Sequence, residues 1–320
     1  MQEFTFGMLT YNQADYVFEH LESIKYQILN YGNDVKVYFV LSDDASKDNT
    51  VKHVEMWLKA NKELFAGIKI VAKKHNEGIV QNFLTLLSSI TTSHYKILAG
   101  DDLYYKNNVF KLAEKGEFII TPTIYFDGTN IIHTRKRDRF ETLLLHQANG
   151  DLSEYLQQRL RYSNCIDAPG VFLNHNLITQ GLVNELENYQ WIEDAPMWNY
   201  LFNVEKVDVE LLQEPYILYR SEVGISKDKN HSARSRFEGD VRKIEKYIYV
   251  DKGRYPRIIN PHSYRYKLEK LMLKFYWNNN CKAIKTFKKM ISVAEMDAEK
   301  YLLQIIDNAN GWKEKYLTGN

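Results

Sequence analysis

Asp101 and Asp102 stand side by side directly after a short apolar run. Two carboxylates sharing a cleft repel each other once both ionise. A hard divalent cation, Mg²⁺ or Mn²⁺, relieves that repulsion and leaves coordination positions for water and phosphate oxygens. Asp43-Asp44 and Thr10-Tyr11-Asn12 also follow β-rich runs, and Glu193-Asp194 precedes Ala195-Pro196. One carboxylate in such a pair can act as a general base on a hydroxyl. Each cluster also has a plain structural reading. An acid doublet opens a turn or caps the next helix, and acids just ahead of a proline suit a helix start.

The elements that position these residues alternate. Phe4–Leu9 reads as a strand, and Val17, Leu21, Ile24 and Ile28 recur at helical spacing. Val35–Leu41 is a second strand, followed by a helix marked by Val51, Val54 and Leu58 with Ser46 or Asp48 as N-cap. Ile68–Ala72, a helix through Ile79, Phe83, Leu86 and Ile90, and Tyr95–Ala99 complete four βα-type units. Short connections of this kind predict an α/β fold, a mainly parallel, doubly wound sheet flanked by helices. Ligands in such sheets bind at the carboxyl ends of the strands, where all the clusters before residue 103 fall. Beyond residue 103 the alternation fails. Phe118–Phe126 and Ile131–Thr134 predict a hairpin around Asp127-Gly128-Thr129-Asn130. Helices near Ser153–Tyr162 and Ala195–Asn203 and an extended Tyr216–Arg220 follow, and the pattern after residue 230 is helical.

Thr10-Tyr11-Asn12, the run from Asp43 to Thr50, Asn76-Glu77-Gly78 and Gly100-Asp101-Asp102 resemble, in order and spacing, the inverting glycosyltransferase family 2 of the GT-A fold. The resemblance is close over residues 4–105 and weaker to about 226, through Glu193-Asp194. It points to the bacterial branch that builds capsular and other surface glycans. It implies a nucleoside pocket of Thr10, Tyr11 and Asp44, with Asn12, Asp43, Asn76 and Gly78 beside it. Asp102 would hold Mn²⁺ or Mg²⁺, with Asp101 on the ribose or the metal's waters. Asp194 would be the general base, positioned by Glu193. Arg220 is a second candidate for stabilising the departing diphosphate, and Trp191 would stack on the acceptor. Two departures stand out: Ala99 occupies the place of the first acid of a full Asp-x-Asp-Asp. Tyr219-Arg220-Ser221-Glu222-Val223-Gly224 lacks the histidine many relatives carry there.

The implied reaction takes a nucleotide-diphosphate sugar, a UDP-sugar first, to a hydroxyl of a glycan or polyprenyl-linked acceptor. A noncatalytic nucleotide- or glycan-binding scaffold is the rival from another class. A sugar nucleotidyltransferase lacks its expected glycine-rich loop here. The expected organisation is a catalytic domain over 1–226, its donor side 1–105 and acceptor side 106–226, and a helical C-terminal extension over 227–320.

Composition fits this outline. The chain has 320 residues, 44% hydrophobic and 26% charged, and its 13% aromatic content suits ring stacking. Two distant cysteines indicate neither a disulfide framework nor a zinc site. No signal peptide and no apolar run of membrane-spanning length are apparent, so a cytoplasmic protein is expected, peripheral at most to the inner face of the membrane. The net charge of +1 divides into −9 over residues 1–226 and +10 over 227–320. Within the basic part, residues 262–293 interleave Leu268, Leu271, Phe275, Ile284 and Phe287 with lysines. Such a stretch either lies on an anionic membrane or packs as a helical bundle on the domain or in a homodimer. The acidic body and the lack of a recognition motif argue against nucleic acid.

Overall fold

The computed structural model describes residues 1–132, 137–150, 152–160, 164–223, 237–244 and 282–317. The expected start of the C-terminal extension at 227, residues 262–281 of the basic stretch and Cys281 lie outside the described residues.

Strands β1 (Gln2–Thr10), β2 (Val35–Asp43), β3 (Gly67–Ala72) and β4 (His94–Ala99) form the parallel heart of the sheet, linked by α1 (Val17–Tyr31), α2 (Thr50–Ala60) and α3 (Ile79–Leu87). Each strand was legible, though β1 and β2 run one or two residues further toward the acidic loops. A short β5 (Leu103–Tyr104) follows, then β6 (Phe118–Ile120), β7 (Thr123–Asp127), β8 (Asn130–Ile132), α4 (Arg137–Ala148), α5 (Leu152–Leu160) and β9 (Val171–Asn174). The remaining elements are α6 (Gln180–Leu186), α7 (Asp194–Tyr200), β10 (Glu210–Leu211), β11 (Ile217–Arg220), α8 (237–244) and α9 (Lys282–Leu317). The main sheet has the order β10-β6-β9-β4-β1-β2-β3, with β9 antiparallel to both neighbours. A second sheet, β5-β11-β7-β8, stands beside it.

The expected hairpin is present only in part. Phe118–Ile120 joins the main sheet, and the chain crosses at Thr121-Pro122 so that only β7 pairs with β8. Proline cannot donate to a ladder, which favours a break there.

The order of the central strands fixes where a ligand can sit. After β1 the chain proceeds to β2 and β3 on one side, and β4 returns to the other side of β1. The crevice at such a reversal opens at the carboxyl ends of β1 and β4. Thr10-Tyr11-Asn12 and Gly100-Asp101-Asp102 occupy those ends.

Apolar side chains explain the layers. Val17, Phe18, Leu21, Ile24 and Ile28 of α1 and Val54, Trp57 and Leu58 of α2 are buried with Phe4, Phe6, Phe39 and Leu41 of the sheet. Val80, Phe83, Leu86 and Leu87 of α3 belong to the other core, with much of α4 to α7. Helix α9, about 54 Å long at 1.5 Å per residue, contributes to both. Phe287, Ile291, Ala298, Tyr301, Leu302 and Ile305 enter one core, and Ala309 and Trp312 the other. Among the described apolar residues of the basic stretch, Ile284 and Phe287 are 2% and 0% exposed, Phe287 and Ile291 pack in the core, and Val293 is 55% exposed. The Tyr301 hydroxyl donates to the Tyr104 carbonyl (2.7 Å), tying α9 to β5.

Candidate active site

At the end of β1, the Thr10 hydroxyl donates to the Asp43 carboxylate (2.7 Å), which also accepts the Ser46 amide (2.8 Å) and hydroxyl. Asn12 adopts a left-handed conformation (φ 53°), its N–H reaching Ser46 Oγ and its side-chain oxygen accepting the Lys47 N–H. These bonds clasp the loops after β1 and β2. Ser46 thereby turns back onto Asp43, while Asp48 accepts the Thr50 amide at the start of α2. Tyr11 is left 47% exposed at the mouth of the clasp.

Asp44 is buried, and its two oxygens accept the amides of Glu77 and Gly78 (both 2.9 Å). Lys73 Nζ lies 3.8 Å from Asp44 and 2.9 Å from the Glu77 carboxylate. Asp44 therefore braces the loop after β3, while Asn76 is exposed. Gly78 has φ +95°, and a Cβ there would stand 2.7 Å from the carbonyl oxygen and Cγ of Gln190. Only glycine permits this approach. It brings the β3 loop against the segment leading to Glu193-Asp194, and Val80 N–H donates to the same Gln190 carbonyl (3.2 Å).

Asp101 and Asp102 are both buried, and their carboxylates face different partners. Asp101 accepts from Gln13 Nε2 (2.8 Å), while Asp102 accepts the backbone N–H of Arg220 (2.9 Å). Gly100 makes room for this arrangement, since a Cβ would lie 2.8 Å from Gln13 Oε1 and from Thr10 Cγ2. Burial pushes both carboxyl groups above the ordinary carboxylate range, and for Asp102 the neighbouring Asp101 charge adds to it.

Arg220 is the hub beneath the pair. Its guanidinium forms a buried ion pair with Glu19 of α1, donates through Nε to the Asp101 carbonyl (3.0 Å), and lies 3.3 Å from Glu222. It sits between the rings of Tyr16 and Phe126, 4.5 Å from each centroid. From the other side, a ring nitrogen of His20 is 2.7 Å from the Asp102 carbonyl, and burial lowers that imidazole to about 4. Lys96 on β4 is buried too and is pushed down to about 7 by desolvation, against the pull of Asp102.

Glu193 and Asp194 stand at the start of α7. Burial, reinforced by the Asp194 charge, raises Glu193 to about 8. Burial also raises Asp194, opposed chiefly by the Ala195 amide and Asn164 Nδ2 (both 2.7 Å), which donate to its carboxylate. The Asp194 charge beside it thus favours the protonated form of Glu193. The loop before them is held by Asp240 of α8, whose Oδ2 accepts the amides of Gln190 (2.8 Å) and Trp191 (2.6 Å). Trp191 itself is half-buried.

One tyrosine ties the acid groups together. The Tyr219 phenol is raised by burial and then by the charges of Asp102, Asp101, Asp167 and Asp194 in turn. Acids separated by more than ninety positions thus lie near enough to one phenol to act on it. Sequence reasoning missed Tyr219, Glu19, Asn164 and Asp240. The only available signal was the pairing of Tyr219 with Arg220 at the end of an extended run.

The profile of the family described as glycosyl transferase family 2 matches residues 5–174. Among solved structures, S. aureus TarS 1–349 in complex with UDP-GlcNAc is similar at 16% identity and a TM-score of 0.51, over 82% of this chain and 69% of that one. A second S. aureus TarS structure aligns at 15% identity and a TM-score of 0.51, over 82% of this chain and 41% of its own length. These likenesses show the fold, a GT-A arrangement. The mannosyltransferase PcManGT from Pyrobaculum calidifontis, in complex with GDP-Man and Mn²⁺, aligns over 99% of this chain and 88% of its own at 15% identity and a TM-score of 0.49. Comparison with curated protein sequences gives no match.

Proposed function

The chain belongs to glycosyl transferase family 2, and from that premise we propose that it moves a sugar, with inversion, from a nucleotide-diphosphate sugar to a hydroxyl of a glycan or polyprenyl-linked acceptor. The observation that supports this reading is that the strand-end acids Asp101 and Asp102 and the helix-start acid Asp194 all act, with Asp167, on the one Tyr219 phenol. Surface-polysaccharide or glycoconjugate synthesis is the setting we assign, at the cytoplasmic side. A UDP-sugar is the first donor to test, since UDP-GlcNAc is bound by TarS, which shares the fold.

Asp194 acts as the general base. It takes the proton of the acceptor hydroxyl as that oxygen bonds to the anomeric carbon, and the bond to the diphosphate oxygen breaks on the opposite face. A positioned base contributes about 10²–10⁴-fold to such a step. Glu193, protonated at neutral pH, keeps the pair at a single negative charge. Tyr11 stacks on the nucleobase and Trp191 borders the acceptor. Thr10, Asn12, Asp43, Asp44 and Gly78 act by shaping the loops, because their polar groups are engaged with neighbouring backbone and side chains.

The donor set fits a divalent cation at Asp101. This carboxylate accepts from a side-chain amide, that of Gln13, and carries a charge that burial disfavours, whereas Asp102 is engaged by the Arg220 amide behind it. Among the described residues no three His, Cys, Asp or Glu gather into a metal cage, so phosphate oxygens and water would complete the shell. Mn²⁺ or Mg²⁺ there would supply electrostatic stabilisation of the departing diphosphate. Arg220 holds the acid pair from below, through the Asp101 carbonyl and the Asp102 carboxylate.

Among the described residues no helix is long and apolar enough to cross a membrane. A peripheral or dimer contact through 262–293 would have to use faces other than Ile284 and Phe287.

The test is a panel of UDP-, GDP- and dTDP-sugars with Mn²⁺, read by thermal shift and by slow donor hydrolysis. Binding and turnover of at least one donor are expected, with Asp194→Asn keeping donor binding while transfer drops by about a hundredfold or more. A protein that neither binds nor hydrolyses any of them is no enzyme of this kind.

A further inference from the structure

Asn164 belongs to no motif considered so far, yet it makes the side-chain contact that holds the proposed base. It lies in the loop before β9, and its two ends do different work. Its Oδ1 accepts the Ile166 N–H (3.0 Å), a turn that fixes which way the amide faces. With the oxygen so committed, the NH₂ end is aimed at Asp194 and donates to Oδ2 at 2.7 Å. The other Asp194 oxygen, Oδ1, accepts the Ala195 amide (2.7 Å). Among the described residues, Asn164 is the side-chain donor that reaches this carboxylate from outside its own helix.

We infer that Asn164 is a positioning residue for the sugar transfer, keeping Asp194 ionised and turned so that a free lone pair faces the acceptor hydroxyl. This rests on the reading of Asp194 as the base.

The surroundings explain why a donor is needed. Glu193 is adjacent in sequence, and Asp167, the residue directly after the turn, adds negative charge from the facing loop. Tyr219 of β11 also faces the group and carries no positive charge at neutral pH. Asp167 is itself occupied by Tyr125 Oη (2.7 Å) and Arg139 (3.1 Å), so that arginine is spent on Asp167. A hydrogen bond to the ionised form is then the means of keeping this buried carboxylate ionised. Asn164 supplies it without introducing a charge that would oppose proton uptake.

Two substitutions separate this role from a merely structural one. Asn164→Asp retains the oxygen that accepts the Ile166 N–H and removes the donor to Asp194, while Asn164→Ala removes both. Protein labelled at the aspartate side-chain carbons with ¹³C reports carboxyl titration by NMR without any ligand, the Asp194 signal being identified by its loss in Asp194→Asn. In both variants the Asp194 midpoint should rise by about one pH unit or more, a tenfold loss of ionised base below that midpoint. The acid limb of the pH profile for hydrolysis of whichever panel donor is turned over should rise equally. Donor affinity should stay within about twofold, so that kcat carries the loss.

An Asp194 midpoint that stays put in Asn164→Asp, or a loss of turnover at every pH with no displaced limb, overturns the inference. The two readings fail differently. If Asp194→Asn turns over donor like the native protein, Asp194 is not the base, whatever Asn164 does to its titration.

Discussion

Arg220 offers the sharpest test of how the acid pair is held. Its side chain is 4% exposed and that of its partner Glu19 is 11% exposed, so the pair is buried on both sides. Arg220→Met keeps much of the side-chain volume between Tyr16 and Phe126 while leaving the Glu19 carboxylate and the Asp101 carbonyl without their donors. Removing one partner of a buried ion pair costs about 3–5 kcal/mol. Glu19→Gln keeps an acceptor for the guanidinium and should cost about 1–3 kcal/mol. Replacing both, Arg220→Met with Glu19→Met, should recover most of the loss, because no uncompensated charge remains at Glu19. Arg220→Lys should not rescue, since an ammonium cannot reach the Asp101 carbonyl and Glu19 together in the planar fork that arginine provides. Urea unfolding measures the free energies, and calorimetry with the nucleotide measures donor affinity. If Arg220 instead faced the departing diphosphate, Arg220→Met would unfold within about 1 kcal/mol of the native protein and lose nucleotide affinity, with no echo in the Glu19 variants. That pattern would refute the hub.

Gly78→Ala forces a side chain onto φ +95° with its Cβ 2.7 Å from the Gln190 carbonyl; a loss of about 2–4 kcal/mol in urea unfolding is expected, together with weaker nucleotide binding as Asp44 loses an amide. For Glu193, raised in the folded chain to about 8, the folded state binds the extra proton between the unfolded value and 8. Its stabilisation is therefore full below the unfolded pKa and is lost as pH rises through the folded one. Compared with Glu193→Gln, the native chain should lose up to about 1.4 kcal/mol per pH unit across that window; parallel stability curves would exclude the assignment. Phe287→Ala, at a 0% exposed position packed on Phe140, should cost about 3–5 kcal/mol in thermal or urea unfolding. A membrane-facing Phe287 would instead leave stability intact and lower binding to anionic vesicles.

The parallel core was legible because period and loop length speak locally. Val17, Leu21, Ile24 and Ile28 mark one buried face of α1 with no help from the rest of the chain. The helix also buries Glu19, His20 and Glu22, and nothing local announces that. Those residues become interior because β11 brings Arg220 to Glu19 and because the Trp57 indole donates to Glu22 (2.7 Å). The run Phe118–Phe126 reads as one strand because hydrophobicity cannot say which sheet a residue joins; the second sheet exists only once β11 returns to pair with β7. The basic residues of α9 look like a membrane face in sequence, yet many apolar positions among them are those the two cores use, with Val293, Met296 and Leu303 left exposed.

The acid doublets show where such reading must stop. A doublet declares that two carboxylates lie close together, and it cannot declare which is available for chemistry. That depends on the donors each one meets. Asp44 meets the amides of Glu77 and Gly78, Asp102 meets the amide of Arg220, and Asp194 meets its own helix and Asn164. Nearly all these partners arrive from distant segments. A carboxylate facing backbone N–H groups is fixed in place and serves the architecture, whereas one facing a movable side-chain amide, as Asp101 does with Gln13, can exchange that partner for a cation. Consecutive side chains diverge, so a doublet is well suited to dividing these tasks, one acid binding the fold and the other turned to the cleft. On the proposed reading, Asp101 and Asp102 would make that division through position, and Glu193 and Asp194 through protonation, since the Asp194 charge favours the protonated form of Glu193.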